Sequence, residues 1–206
     1  MVNKKLETMM GVAAIGTEHC APEPTTLMIK EKESLPKDEF HIIDKQTEIV
    51  AFQVRGQVLC RRDKKQLLDT FGNEIARFKI TIISLHKIFR VYTSSKDKFM
   101  SVKRKFGAEK SKMVAEIKNL CDDGRIMKIE AVGDWKGRNA VISNEGGEAL
   151  ATVSRKHELK DYYFITVNEG VDKAMIVLLA LAFDELEDES IHHFFGFQPQ
   201  SEEIKG

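Results

Sequence analysis

Ten consecutive apolar residues, Ala174 to Phe183, lie inside the segment VDKAMIVLLALAFDELE, Val171 to Glu187. The run is rich in Ala, Leu and Met and holds neither Gly nor Pro, so it predicts a helix, and no face of that helix is polar. A helix apolar all round must be enclosed by lipid or by protein. Ten residues span about 15 Å, half of a hydrocarbon core that takes about 20 residues to cross. Protein is therefore the expected surround. Ala174, Ile176, Val177, Leu178, Leu179, Leu181 and Phe183 are then the expected centre of the core. Asn168 or Gly170 is placed to cap the start, with Asp172 in a first turn that favours anions. At the far end Asp184, Glu185, Glu187, Asp188 and Glu189 oppose the helix dipole, which suits an end emerging into water.

Upstream the pattern changes from Phe40 onward. Short alternating or β-branched runs recur every eight to twelve residues: EIVAFQV, QVLCRR, KQLLDT, EIARFKI, KIFRVYT, KFMSVKRK, KMVAEIKN, IMKIEAV, RNAVIS, EALATVS and YYFITV. Gly, Asn and Asp separate them, as in an antiparallel meander. Asp69 to Glu74 has hairpin-turn chemistry: Asp and Asn bond their own backbone, and Gly72 accepts positive φ. So many strands in one small domain must curl or close, because closure removes exposed edges. An interior that wide needs filling, and the apolar helix fills it. The expected class is α+β, a closed antiparallel β-barrel of about twelve strands around a central hydrophobic C-terminal helix. A faint internal echo at an offset of 75 residues sets Asp69 against Asn144, Gly72 against Gly147 and Ala76 against Ala151.

At 206 residues, with 42% hydrophobic and 31% charged residues, the chain reads as one globular domain with tails. Residues 1–37, with Pro22, Pro24, Pro36 and a KEKES stretch, read as a flexible N-terminal arm, 38–187 as the barrel, and 188–206 as an acidic and aromatic tail. Net charge is zero, so attraction to nucleic acid or an anionic surface would have to be local, and no nucleic acid is expected. Cys20, Cys60 and Cys121 are far apart and outside any C-x-x-C spacing, which reads as buried thiols in a reducing compartment rather than a disulfide or zinc site. Lys4 and Lys5 precede a mildly apolar Met9 to Gly16 without an A-x-A-like site, and Val2 stands where myristoylation needs Gly. A cytoplasmic protein is the expectation.

The stretch SRKHELKDYYFITVNEGVDKAMIVLLALAFDEL, Ser154 to Leu186, resembles the closing segment of LURP-one-related proteins. An S-R-K run, a D-x-Y strand and a G-x-D turn precede a hydrophobic helix ending in D-E. FQVRGQVLCRRDKKQLLDTFGNEIARFKITIISLHKIFRVY is similar to the family's opening hairpins, and AVGDWKGRNAVIS, with Gly133 and Trp135, to its G-x-W strand pair. The resemblance runs from about Asp38 to Glu187. It implies membership of the tubby C-terminal-like superfamily, which also holds the phospholipid scramblases, and hence a barrel threaded by a hydrophobic helix. Functions implied by the superfamily range from plant defence proteins without an assigned reaction to phosphoinositide-binding and membrane-bound proteins; fold alone does not choose among them.

The strongest local charge is basic. Lys96, Lys98, Lys103, Arg104, Lys105, Lys110, Lys112 and Lys118 fall in one hairpin, opposed by Asp97, Glu109 and Glu116. Strand alternation puts Lys103 and Lys105 on one face and Arg104 on the other, and two cations so placed can clamp a phosphate. The tubby resemblance implies the same site, because a basic K-x-R stretch of that family falls on Lys103 and Lys105. Here position 105 is Lys, and Phe106-Gly107-Ala108 replaces the family's lysine-rich turn. The structural alternative is a hairpin edge defended by lysines. Arg55, Arg61, Arg62, Lys64 and Lys65 read as surface decoration that could extend the patch.

Other candidates carry less. His192 and His193 lack further metal ligands at recognisable spacing, and Asp161, Glu169 and Asp172 fall short of the six to eight oxygens that calcium takes. Trp135 reads as packing at a barrel turn, and Phe194, Phe195 and Phe197 as a tail that docks back. His86 near Ser84 makes no triad. Walker, G-x-S-x-G, H-E-x-x-H and dinucleotide signatures are absent. The expectation is a monomeric, non-enzymatic cytoplasmic binding or membrane-adaptor module without cofactor or metal. Its expected partners are anionic phospholipids at the inner membrane face, or unidentified proteins. The alternatives are a scramblase-like protein whose helix spans lipid and a protein-interaction scaffold in stress or defence signalling.

Overall fold

The computed structural model describes residues 11–30, 39–56, 64–83, 86–105, 111–134, 137, 139–155 and 162–187. Within them run β1 (Thr25–Lys30), β2 (Glu39–Asp44), β3 (Val50–Gly56), β4 (Lys64–Leu68), β5 (Glu74–Ile83), β6 (His86–Tyr92), β7 (Lys98–Lys105), β8 (Ser111–Asn119), β9 (Arg125–Asp134), β10 (Asn139–Asn144), β11 (Ala149–Arg155), β12 (Tyr162–Val167) and the helix α1 (Lys173–Glu187). Each strand pairs antiparallel with the next in sequence, and β1 pairs with β12, so the meander closes into a barrel. Among the described residues, the twelve strands and one α-helix match the class expected from periodicity.

Alternation sorts the side chains. In β7 Met100 and Val102 are buried while Lys103 and Lys105 are exposed; in β10 Ala140 and Ile142 are buried while Val141 is exposed. α1 runs up the middle, and every side chain from Ala174 to Phe183 is buried. Fifteen residues make a helix of about 22 Å, comparable to the strands around it. Its seven expected core residues all lie inside the barrel, each large aliphatic one contributing about 1.5–3 kcal/mol by burial. In this fold the surround of α1 is protein. Among the described residues no helix is long and apolar enough to cross a membrane.

The N-terminal arm is a correction. Residues 11–30 belong to the domain, and β1 is the strand that seals it, with Leu27 and Ile29 pointing inward. Without β1, β2 and β12 would be open edges. Its period-two signal, TTLMIK, is only six residues long and lies between Pro24 and a charged run, which hid it. The barrel therefore begins before residue 38. Residues 1–10 and the tail 188–206, with His192, His193 and the three phenylalanines, lie outside the described residues, as does Trp135.

Because strands alternate in direction, the turns β2–β3, β4–β5, β6–β7, β8–β9 and β10–β11 gather at the end where α1 begins, and the last residues of β7 and the first of β8 lie where α1 ends. Two of these turns explain the 75-residue echo. Asp69 Oδ1 accepts from the N–H groups of Phe71 and Asn73, and Asn144 Oδ1 accepts from those of Gly146 and Glu148. Gly72 and Gly147 take φ of 84° and 81°, and each hairpin carries a bulge, between Leu67 and Leu68 and between Ile142 and Ser143. The echo is one of turn chemistry.

Gly133 is fixed by a close approach. It sits at φ 152°, and a Cβ there would lie 2.3 Å from the Asn139 carbonyl oxygen and 2.6 Å from Ala140 Cα. Gly133→Ala is expected to lower unfolding free energy by about 1–3 kcal/mol, read as a fall in the urea midpoint. An unchanged midpoint would mean that β9 and β10 part without cost.

Candidate functional site

The end where α1 begins is closed by the chain's own N-terminal segment. Val12 bridges Val171 and Cys20 bridges Asp172, while Ala13 accepts from Leu120 N–H and donates to Asn119 Oδ1 in the β8–β9 turn. Asp172 is the hub. Its Oδ1 accepts from Met175 N–H at 3.0 Å, the N-cap bond of α1, and its carbonyl accepts from Ile176 N–H. Its Oδ2 accepts from the N–H groups of Ala14, Ile15 and Gly16 at 3.2, 2.9 and 3.4 Å. The side chain is fully buried. Burial pushes its pKa above the ordinary carboxylate value, while the N–H donors and the nearby His19 pull it back.

The cap is thus Asp172 itself, one residue before the helix, and neither Asn168 nor Gly170. Asn168 instead donates its amide to the Ala149 carbonyl, and Gly170, at φ 75°, makes the turn. The Asp172 carboxylate accepts from four N–H groups and its carbonyl from a fifth, while Asp161 lies outside the described residues. Among the described residues no group of three His, Cys, Asp or Glu side chains is placed to hold a metal ion.

At the other end, the acidic helix terminus does not simply emerge into water. The Glu185 side chain is 18% exposed, and its Oε1 takes an ion pair from Lys65 Nζ at 2.6 Å. Lys87 Nζ donates to the Glu185 carbonyl at 3.4 Å. Both lysines share the inward parity of apolar neighbours, Lys65 with Leu67 and Lys87 with Phe89 and Val91. Cations at a helix C-terminus offset the dipole and the carboxylates together. Lys65 is therefore no surface decoration, and Lys87 went unnoticed. Both were legible as lysines in the buried phase of a strand. Arg104 shares the inward phase of Met100 and Val102 at the same mouth.

The basic hairpin is built as alternation required. Lys103 and Lys105 are exposed on the outer face of β7, with Arg104 on the inner. Lys105 lies directly opposite Lys112 of β8, a like-charge pair across strands that repels. Lys112 is held by Glu130 of β9 at 2.7 Å, both side chains half-buried. Among the described residues neither Lys103 nor Lys105 has an ion-pair partner. Lys110 lies outside the described residues. The structure thus brings Lys103, Lys105 and Lys112 onto one face and separates Arg104 from them.

A closed meander whose interior is occupied by its own terminal helix, with cations at one mouth, defines a class of barrels that can meet partners only on the outside. The chain belongs to the LURP-one-related family, whose model matches residues 25–184. It is 28% identical over 192 residues to Protein LURP-one-related 15 of Arabidopsis thaliana, covering 87% of this chain and 88% of that protein. To Protein LURP1 of the same plant it is 22% identical over 185 residues, covering 84% and 89%. The X-ray structure of a protein from Arabidopsis thaliana matches with a TM-score of 0.63 at 23% identity, over 85% of this chain and 98% of that one, and shows the same fold.

Proposed function

We propose that this protein is a non-enzymatic binding or membrane-adaptor module that contacts anionic phospholipid headgroups, phosphoinositides in particular, through the outer face of β7 and β8. The supporting observation is the exposed pair Lys103 and Lys105 set against Lys112, whose mutual repulsion Glu130 relieves only on the Lys112 side. A phosphate seated over Lys103 and Lys105 relieves the rest, each ammonium acting as a point charge. A peripheral position on a cytoplasmic membrane face follows from this reading.

Flotation with phosphatidylcholine vesicles, with and without a phosphoinositide, tests it. Arg104 faces inward and is left intact. Each basic residue near an anionic surface contributes about 1 kcal/mol, so Lys103→Ala/Lys105→Ala is expected to reduce partitioning roughly 30-fold. Raising the salt weakens the wild type toward the variant. Equal partitioning of the two proteins onto phosphoinositide vesicles sinks the reading.

A further inference from the structure

Cys20 and Cys121 stand about 100 residues apart in sequence and share no motif, yet the fold sets them side by side. Cys20 follows the short helical turn Thr17–His19 and bridges Asp172 at the foot of α1. Cys121 lies in the turn Leu120–Asp122, where its N–H donates to Asn119 Oδ1, the same oxygen that receives Ala13 N–H. A Cβ on Gly11 would meet Cys121 Sγ at 3.1 Å, so the thiol lies against the N-terminal segment itself. Each thiol lies close enough to the other to act on it electrostatically. Neither is sealed in the core: both are partly exposed and unoxidised.

We infer that Cys20 and Cys121 form an oxidation site, closing to a disulfide under peroxide and so stapling residues 11–21 to the β8–β9 turn across the foot of the helix. Such a bond joins two surfaces already held in register by the Leu120 to Ala13 bond of 2.7 Å and the Ala13 to Asn119 bond of 3.1 Å. No element has to move far to bring the sulfurs together, a condition that most pairs of cysteines fail.

The chemistry runs in two steps. The Cys121 thiolate attacks one peroxide oxygen, breaking the O–O bond to give a sulfenic acid and, after protonation of the leaving hydroxide, water. The Cys20 sulfur then attacks the sulfenic sulfur, forming the S–S bond and expelling hydroxide, which leaves as water with the Cys20 proton. Two thiols lose two hydrogens and one peroxide becomes two waters. Cys20 takes the second role because burial, with the Asp172 carboxylate beside it, pushes its thiol up to about 11, and a scarce thiolate is a poor first nucleophile.

The test uses the full chain treated with hydrogen peroxide, then alkylated and digested with trypsin without reduction. Peptides 6–30 and 119–125, each with one cysteine, are expected to appear joined and two hydrogens lighter than their sum. The joined species is expected to be absent from Cys20→Ser and Cys121→Ser and retained in Cys60→Ser. The oxidised wild type is also expected to melt higher, by up to about 10 °C for a loop of some 100 residues, and to lose that gain on reduction. Separate over-oxidation of the two cysteines, or pairing of either with Cys60, overturns the assignment. A joined peptide without a rise in melting temperature overturns the staple.

Discussion

Replacing Leu178 by aspartate is expected to abolish folding. Leu178 sits at the middle of α1 with its side chain fully buried, and the residues beside it, Val177 and Leu179, are equally enclosed. An unpaired carboxylate there costs several kcal/mol, and the lost apolar burial adds about 1.5–3 kcal/mol. A domain of this size has a total stability of only about 5–15 kcal/mol. Leu178→Asp should therefore give insoluble protein, or soluble protein without a cooperative thermal transition. Leu178→Met, which keeps volume and polarity, should fold and melt within about 1.5 kcal/mol of wild type. A soluble, cooperatively melting Leu178→Asp would place the helix outside the barrel.

Asp172→Ala is expected to cost about 3–5 kcal/mol without abolishing the barrel. Loss of the N-cap alone is worth about 1 kcal/mol. The larger part comes from Ala14, Ile15 and Gly16, whose N–H groups converge on Oδ2 of the buried carboxylate, since a buried donor left unpaired costs about 1–3 kcal/mol. Asp172→Asn separates the two roles. An amide offers one carbonyl oxygen, so it can keep the Met175 bond or the three N-terminal bonds, but not both. It should fall between alanine and wild type. Denaturant midpoints measure the loss, and hydrogen exchange locates it: the amides of residues 14–16 should lose protection together with that of Met175. If residues 14–16 stay protected in Asp172→Ala, the carboxylate is not what ties the N-terminal segment down.

How much of this was legible in the sequence depended on whether neighbours along the chain or across it do the specifying. Strands β3 to β12 declare themselves through local alternation and through turn residues such as Asp69, Gly72, Asn144 and Gly147, and the absence of a polar face on α1 demands enclosure. These signals are local, and they survived. The family resemblance added the same barrel from a different direction. β1 did not declare itself, because six residues between Pro24 and a charged run carry too short a pattern; only the need to close a ring identifies it. Asp172 looked like an ordinary first-turn acid because its three further donors come from more than 150 residues away. The contact of Cys20 with Cys121 is equally non-local. Lys65 and Lys87 were hidden differently. Their place in the inward phase was readable, but a lysine in a buried phase is normally discounted unless its counter-charge is known, and that counter-charge is the far end of α1.

For the hairpin, the sequence shows the faces but not the charges that meet across strands. Alternation separated Lys103 and Lys105 from Arg104, yet all three were grouped with Lys110 and Lys112 as one basic patch. The fold gives Arg104 to the mouth and half-neutralises Lys112 with Glu130. The outward charge is thus narrower than a count of lysines suggests.

The closing pair of the ring, β1 with β12, joins the earliest described strand to the latest, and the helix that fills the ring comes later still. During synthesis the meander therefore accumulates strand by strand with its greasy inner surface uncovered and its two edges unpaired, until α1 has left the ribosome. Every productive pairing before that moment is between sequence neighbours and forms quickly, whereas the step that seals the molecule waits for the last element. A barrel built around its own terminus is, for most of its making, an open sheet in need of protection.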